Sequence, residues 1–260
     1  MVVDVPGPVT PQAMPCDPVN AAGASALTRY RIELATGRRC RLTVRGLAAG
    51  TTGLVVGLLD WRFGAASALA VAAVDLGRYY TRGPAAPWRK GAAGERATAR
   101  LLAPLALEGY AILHDRAIPH SSANVDHILI GPTGVFVLDS KRWHRRTRLH
   151  GVGGTLWVGS RTAAFALRGL AFEHAAVQSM VRRATSSLVD VGGLVAVHGP
   201  RVPSWRNPVM YEGLTLLRAR HVPRYVRARE PRLTPEQVAE LAAGLARVLP
   251  PYGRAADDGR

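Results

Sequence analysis

The chain has 260 residues and a formal net charge of +16, a length that suits one ordinary domain with appendages. That charge favours a polyanionic partner, nucleic acid or anionic lipid, and carries no information about fold. Its two cysteines, Cys16 and Cys40, make neither a disulfide framework nor a zinc site and fit a reduced, cytoplasm-facing protein.

Residues 1–28 begin with a Pro-, Ala- and Val-rich stretch that has no apolar period, and they predict a disordered tail. The stretch lacks the charged and apolar regions of a signal peptide. Residues 29–45 are basic and alternate weakly. An apolar tract then runs from Gly46 to Gly77, interrupted by Asp60, Trp61 and Arg62. A single membrane span would bury Asp60 and Arg62 at about 2.5–3.5 kcal/mol for each charge. A helical hairpin with arms Val44–Leu59 and Phe63–Tyr80 puts them at its tip instead. Each arm falls short of the ~20 residues that span hydrocarbon, and Arg45 and Arg78 can snorkel to lengthen them. With Arg38, Arg39, Arg41 and Arg45 before the tract and Arg78, Arg82, Arg89 and Lys90 after it, both ends would be cytoplasmic. The expectation is a transmembrane hairpin within residues 29–82 that meets membrane lipid through residues 44–80. The other reading is a small, soluble Ala/Gly-rich hairpin.

Gly83–Pro87 reads as a linker. The following residues, to Tyr110, place Ala97, Leu101, Leu102 and Leu105 at helical spacing. Three short strands are predicted over Ala111–His114, Val125–Ile130 and Val135–Asp139, the last two joined by a turn at Gly131-Pro132-Thr133-Gly134. Leu149–Val158 suggests a further strand and Phe172–Leu188 a helix. Leu194–Val197 and Leu214–Leu217 suggest later strands. Thr234-Pro235-Glu236-Gln237 is a helix start with the N-cap, Pro and capping-box residues in place, and its helix should reach Leu249.

The chemistry concentrates in the predicted hairpin. Asp126 enters its first strand and Asp139 leaves its second, so antiparallel pairing brings the two carboxylates side by side. Close carboxylates repel unless a cation lies between them, and oxygen ligands suit Mg²⁺ or Mn²⁺. Alternation puts Asp139 and Lys141 on one face, Ser140 on the other, and turns His127 away from Asp126. The ammonium can then stabilise charge developing on a phosphate. Glu95 adds a third acid from the preceding helix. All 34 basic residues except Lys90 and Lys141 are arginine, so a lysine at this position stands out. His114 and Asp115 are expected in a loop. Arg142, Trp143, Arg145, Arg146 and Arg148, with His144, form a basic run suited to tracking phosphates or, equally, to a solvated face.

Gly91-Ala92-Ala93-Gly94-Glu95, Asn124-Val125-Asp126-His127 and Gly131 to Lys141 (GPTGVFVLDSK) together resemble the nuclease-related domain (NERD) family, which is related to the PD-(D/E)xK phosphodiesterases. The similarity covers about residues 88–200. It implies an α/β, restriction-endonuclease-like mixed sheet flanked by helices, completed by a strand and helix in residues 201–250 and followed by a tail at 251–260. It also implies catalytic Glu95, Asp126, Asp139 and Lys141, with Asp126, Asp139 and Glu95 as ligands of Mg²⁺ or Mn²⁺. Gln178 matches a glutamine of the following helix, where it would contact water, phosphate or Lys141. Val125 replaces the Pro of the superfamily's name, and Asp139 stands where the triplet can carry Glu. The expected function is metal-dependent hydrolysis of DNA, with RNA as the other substrate class, by a membrane-tethered enzyme. The rival is a non-catalytic nucleic-acid-binding or membrane scaffold on the same fold.

Overall fold

A computed structural model describes residues 22–152, 155–184, 189–200 and 208–252. Most of the predicted tail lies outside them. Its end is helical: α1 spans Ala24–Ala35, held where the Ser25 backbone N–H donates to Asp115 Oδ2 at 2.6 Å.

The apolar tract does form a helical hairpin. Helix α2 covers Arg38–Gly57 and α3 covers Trp61–Arg82, with Asp60 capping α3 by accepting from the Arg62 backbone N–H at 2.7 Å. Arg45 and Asp75 pair across the arms at 2.6 Å. The transmembrane expectation is corrected here: among the described residues no helix is long and apolar enough to cross a membrane. The reason lies in composition. The first two turns of α2 carry Arg38, Arg39, Arg41 and Arg45, its middle is Gly-, Ala- and Thr-rich, and α3 carries Asp75, Arg78 and Arg82. The Gly83–Pro87 linker shrinks to a corner, because α4 begins at Ala86 with Pro87 in its first turn, where a missing N–H costs nothing. Helix α4 runs to Leu102, and a 3-10 turn continues over Ala103–Glu108.

The sheet is mixed, with six strands. Strands β1 (Ala111–Ala117), β2 (Asn124–Gly131) and β3 (Gly134–Arg142) form an antiparallel meander. The small insertion β4 (Leu149–Val152), β5 (Thr155–Val158) and β6 (Arg161–Thr162) follows, then helix α5 (Ala163–Ala184). Strand β7 (Val191–His198) lies parallel to β3. Strand β8 (Val209–Tyr211) and β9 (Leu214–Arg218) complete the order β1-β2-β3-β7-β9-β8, with β7 and β9 parallel. Helices α6 (Val222–Arg227) and α7 (Pro235–Val248) close the fold. The expected single strand Leu149–Val158 is instead two strands, β4 and β5, paired antiparallel. Helix α5 starts nine residues before the predicted Phe172. The Thr234 capping box forms as read: its hydroxyl accepts from the Gln237 backbone N–H, and the Gln237 side chain accepts from the Thr234 N–H.

Strand alternation divides the core into two layers. Val135 and Val137 of β3 face a cluster shared with Val177 and Val181 of α5 and Leu241 and Leu245 of α7. Phe136 and Leu138 face the other side, with Leu102 of α4 and Val222 and Val226 of α6. Each fully buried leucine or valine contributes about 1.5–3 kcal/mol. A shift of β3 by one residue would exchange these faces, so burial on both sides pins its register and the facing of every polar residue at its end.

Candidate active site

Strands β2 and β3 set the centre. The pairing of His127 with Leu138 continues to put Asp126 opposite Asp139. Asp126 Oδ2 accepts from the Ser140 backbone N–H at 2.8 Å, which ties the acid to the neighbouring strand. Asp139 is buried, at 4% exposure, and its Oδ2 lies 2.7 Å from Lys141 Nζ. Both residues are on the α5 face, and Ser140 points to the other, as alternation requires. Glu95 joins from α4, which crosses close to the end of β3: a Cβ on Gly94 would lie 3.2 Å from Arg142 Cβ. That close approach is a physical reason for a glycine before the helix acid. Glu95 is 6% exposed, and its Oε2 is buried with no hydrogen-bond partner among the described residues.

The protonation pattern follows from crowding. Burial, reinforced by Asp115 and Asp139, pushes the Glu95 carboxyl up to about 7. Burial and then Glu95, Asp139 and Glu173 push Asp126 well above the usual carboxylate range. Burial alone would favour the neutral amine of Lys141. The adjoining Asp139, helped by Asp126 and Glu173, outweighs it and holds the ammonium charged beyond its ordinary range. Like charges gathered in low dielectric around one cation produce this pattern.

Glu173 was not singled out from the sequence. It is the single acid of α5, and its carboxyl is pushed up to about 8 by burial and then by Asp139, with Lys141 opposing. Its Oε2 is also buried and has no partner among the described residues. A lone acid in an otherwise apolar and basic helix was the available signal. Gln178, by contrast, is not brought into the cluster. Its Nε2 donates to Val189 O at 3.0 Å, and its Oε1 accepts from the Val191 N–H at 2.7 Å, so both ends of the amide serve the entry to β7. Gln178→Leu should therefore lower stability by about 1–3 kcal/mol through two orphaned backbone groups. Thermal melting would register that loss. A fall in catalytic turnover larger than the lost folded fraction would contradict this structural role.

His114 and Asp115 belong to β1 rather than to a loop. Asp115 is fully buried at φ +48°, and its carboxylate accepts from the Ser25 N–H and from Asn124 Nδ2, so it serves as an anchor for α1. His127 has the structural role expected of it. Its Nδ1 meets His114 Nδ1 at 2.7 Å and its Nε2 meets Ser140 Oγ at 3.2 Å, while burial holds its imidazole well below the usual range. Ser140 Oγ donates to Thr98 Oγ1 at 2.8 Å, one helical turn beyond Glu95. This buried chain clamps α4 to β3 and so fixes where Glu95 stands relative to Asp139.

Beside Lys141 an open cleft of about 480 Å³ is lined by Trp143, Arg161 and Phe165, with the Arg161 guanidinium 4.9 Å from the Phe165 ring. Trp143 packs partly against the core, whereas Arg142, Arg145, Arg146 and Arg148 are exposed. Residues 90–198 match the model of the nuclease-related domain (NERD) family. Over this stretch the chain is similar to nuclease-related domains. The match begins at Lys90, ends at His198, and contains the whole acid–lysine cluster and the strands β1–β3 and β7 that position it. No curated protein and no solved structure matches the chain.

The donor set fits a hard divalent cation in its chemistry. All four acids offer oxygen, and Glu95 and Glu173 each present a buried oxygen without a partner among the described residues. In the arrangement seen, no three such side chains among the described residues stand close enough to hold an ion. Asp139 is neutralised by Lys141 instead.

Proposed function

We propose that this chain is a metal-dependent nuclease that hydrolyses phosphodiester bonds of DNA, with RNA as the second substrate class. The observation that carries the reading is the gathering of Glu95, Asp126, Asp139 and Glu173 around one buried-side lysine, with two carboxylate oxygens left unpartnered among the described residues. Perturbed acids packed this closely are a feature of working sites. Asp126, Asp139 and Glu95 would hold Mg²⁺ or Mn²⁺. When bound, such an ion lowers the pKa of a water and offsets phosphate charge.

The chain's own residues do the rest. Lys141, kept charged by Asp139, donates to a non-bridging phosphate oxygen as negative charge builds there. Glu173, outside that ligand set and with its carboxyl raised by burial and Asp139, is the group that accepts the proton of the attacking water. Water oxygen bonds to phosphorus, the bond to the leaving oxygen breaks, and no enzyme side chain becomes covalently attached. Trp143 and Phe165 in the adjoining cleft offer stacking faces for a base. The direct test incubates the full chain with single- and double-stranded DNA and with RNA, in Mg²⁺, Mn²⁺ or EDTA. Cleavage that needs the metal is expected, and binding without turnover would identify the scaffold reading instead.

Tethering to a membrane surface rests on a separate observation. The hairpin tip exposes Leu58, Leu59, Trp61 and Phe63, with Leu59 at 89% exposure, beside Arg62. An aromatic, apolar and cationic tip suits the headgroup boundary. Flotation with anionic vesicles should carry the wild-type chain upward and leave a Leu59→Ser/Trp61→Ser/Phe63→Ser variant behind; equal flotation of both would refute the tether.

A further inference from the structure

A second cavity, of about 670 Å³, lies on the α4 face at the ends of β3 and β7. Arg96 and Arg100 line it from α4, Arg142 from the end of β3, and His198 and Gly199 from the end of β7; two alanines of α4 complete it. No carboxylate of the described residues lines it. Among the described residues none of these three arginines has a salt-bridge partner, whereas Arg45, Lys141 and Arg227 each have one. Arg96 and Arg100 stand at i and i+4, so their side chains share one face of the helix. His198 Nε2 is held by Thr98 Oγ1 at 2.8 Å, and burial followed by Arg142 keeps its imidazole below the ordinary range.

The cavity is continuous in sequence with the acid cluster but opposite in facing. Arg142 follows Lys141 directly, so alternation turns it to the other side of the sheet. The two clefts therefore flank the same strand end, which is also the carboxyl end of the parallel pair β3 and β7, where open sheets commonly bind ligands. The ridge between them is built tightly. The Trp143 N–H donates to His198 O at 3.1 Å, and Gly199, at φ +100°, sits where any Cβ would strike the Trp143 carbonyl.

We propose that the Arg96–Arg100–Arg142–His198 cavity is a phosphate-binding subsite that holds the backbone of the nucleic-acid strand outside the reacting bond. The strand passes from the Lys141 cleft over the Trp143–Gly199 ridge into this basic cavity. Three guanidinium groups that form no salt bridge among the described residues match phosphate oxygens in charge and geometry. This assignment rests on the nucleic-acid reading of the acid cluster, but it is tested by binding rather than by turnover.

The experiment titrates a labelled single-stranded oligonucleotide with the full chain in EDTA, over a series of salt concentrations. Arg96→Gln/Arg100→Gln should weaken binding by about tenfold or more near physiological salt. It should also reduce the slope of log affinity against log salt by about 1.4, since each of the two lost single-strand phosphate contacts removes roughly 0.7. Arg142→Gln should show a smaller loss in the same direction. The charge-matched control Arg182→Gln/Arg183→Gln, at the exposed end of α5, should stay near wild type. Melting curves of each variant, measured alongside, separate lost binding from lost folding. Equal losses in the α4 pair and the control would overturn the subsite in favour of diffuse charge. Loss of inorganic phosphate binding with oligonucleotide affinity intact would overturn it in favour of a free-anion site. A wild-type chain that binds through these arginines but never cleaves would sink the nuclease reading and leave the subsite standing.

Discussion

Asp139→Asn and Lys141→Gln are each expected to lower the proposed metal-dependent DNA hydrolysis by about a hundredfold or more, the scale on which one charge-stabilising group acts in a transition state. The two residues make a single 2.7 Å ion pair at the centre of the cluster, so each change also disturbs the other. Lys141→Gln leaves a buried carboxylate without its counter-charge, and removing one partner of such a pair costs about 3–5 kcal/mol. Activity must therefore be read beside a melting curve. The double variant Asp139→Asn/Lys141→Gln separates the effects. It restores electrical balance, so its stability should recover toward wild type, while its turnover stays lost. Wild-type turnover in either folded single variant would rule out the proposed mechanism. Recovery of turnover in the double variant would assign the pair to structure.

The metal-free protein should lose stability as pH rises from about 5 to 8. Glu95 and Glu173 have carboxyl groups raised to about 7 and about 8, against 4.5 when free. Between those limits the folded chain binds more protons than the unfolded one, and stability then falls with rising pH. The favourable contribution is complete below about 4.5 and gone above about 8. For the two acids together the loss is on the order of a few kcal/mol. Glu173→Gln should flatten the slope and stabilise the protein at pH 8. Mn²⁺ should raise the melting temperature at pH 8 in the wild type, because a ligand that binds the folded state stabilises it, and should do so less in the variant. Denaturant melts at several pH values measure all three effects. A slope unchanged by Glu173→Gln would remove Glu173 from the cluster.

Much of the site was legible because its parts are local. A Gly-Pro-Thr-Gly turn between two alternating apolar runs fixes a hairpin. The hairpin puts Asp126 opposite Asp139, and period-two alternation puts Asp139 and Lys141 on one face and sends Ser140 and His127 to the other. The Thr234 capping box was legible for the same reason, since all its partners lie within one turn. Glu95 and the overall fold class came from the ordered motif rather than from any single residue. The hairpin over residues 44–80 was legible as two helices turning at Asp60, but its apolar length suggested a span that its charges and glycines do not sustain.

What depends on packing between distant segments could not be read the same way. Glu173 and Gln178 sit on one helix five residues apart, and the docking of α5 against β3 and β7 alone decides that the first meets Asp139 while the second caps the entry to β7. Asp115 looked like a loop acid until β1 proved longer and brought it to the N-terminus of α1. The basic cavity draws Arg96 and Arg100 from one helix, and Arg142 and His198 from two parallel strands 56 residues apart by register partners. The sequence by itself thus determined the residues whose geometry follows from backbone periodicity and a short turn. The tertiary structure decided which buried charges share a low-dielectric space, because that depends on which helix faces cover the sheet, and no local repeat specifies it.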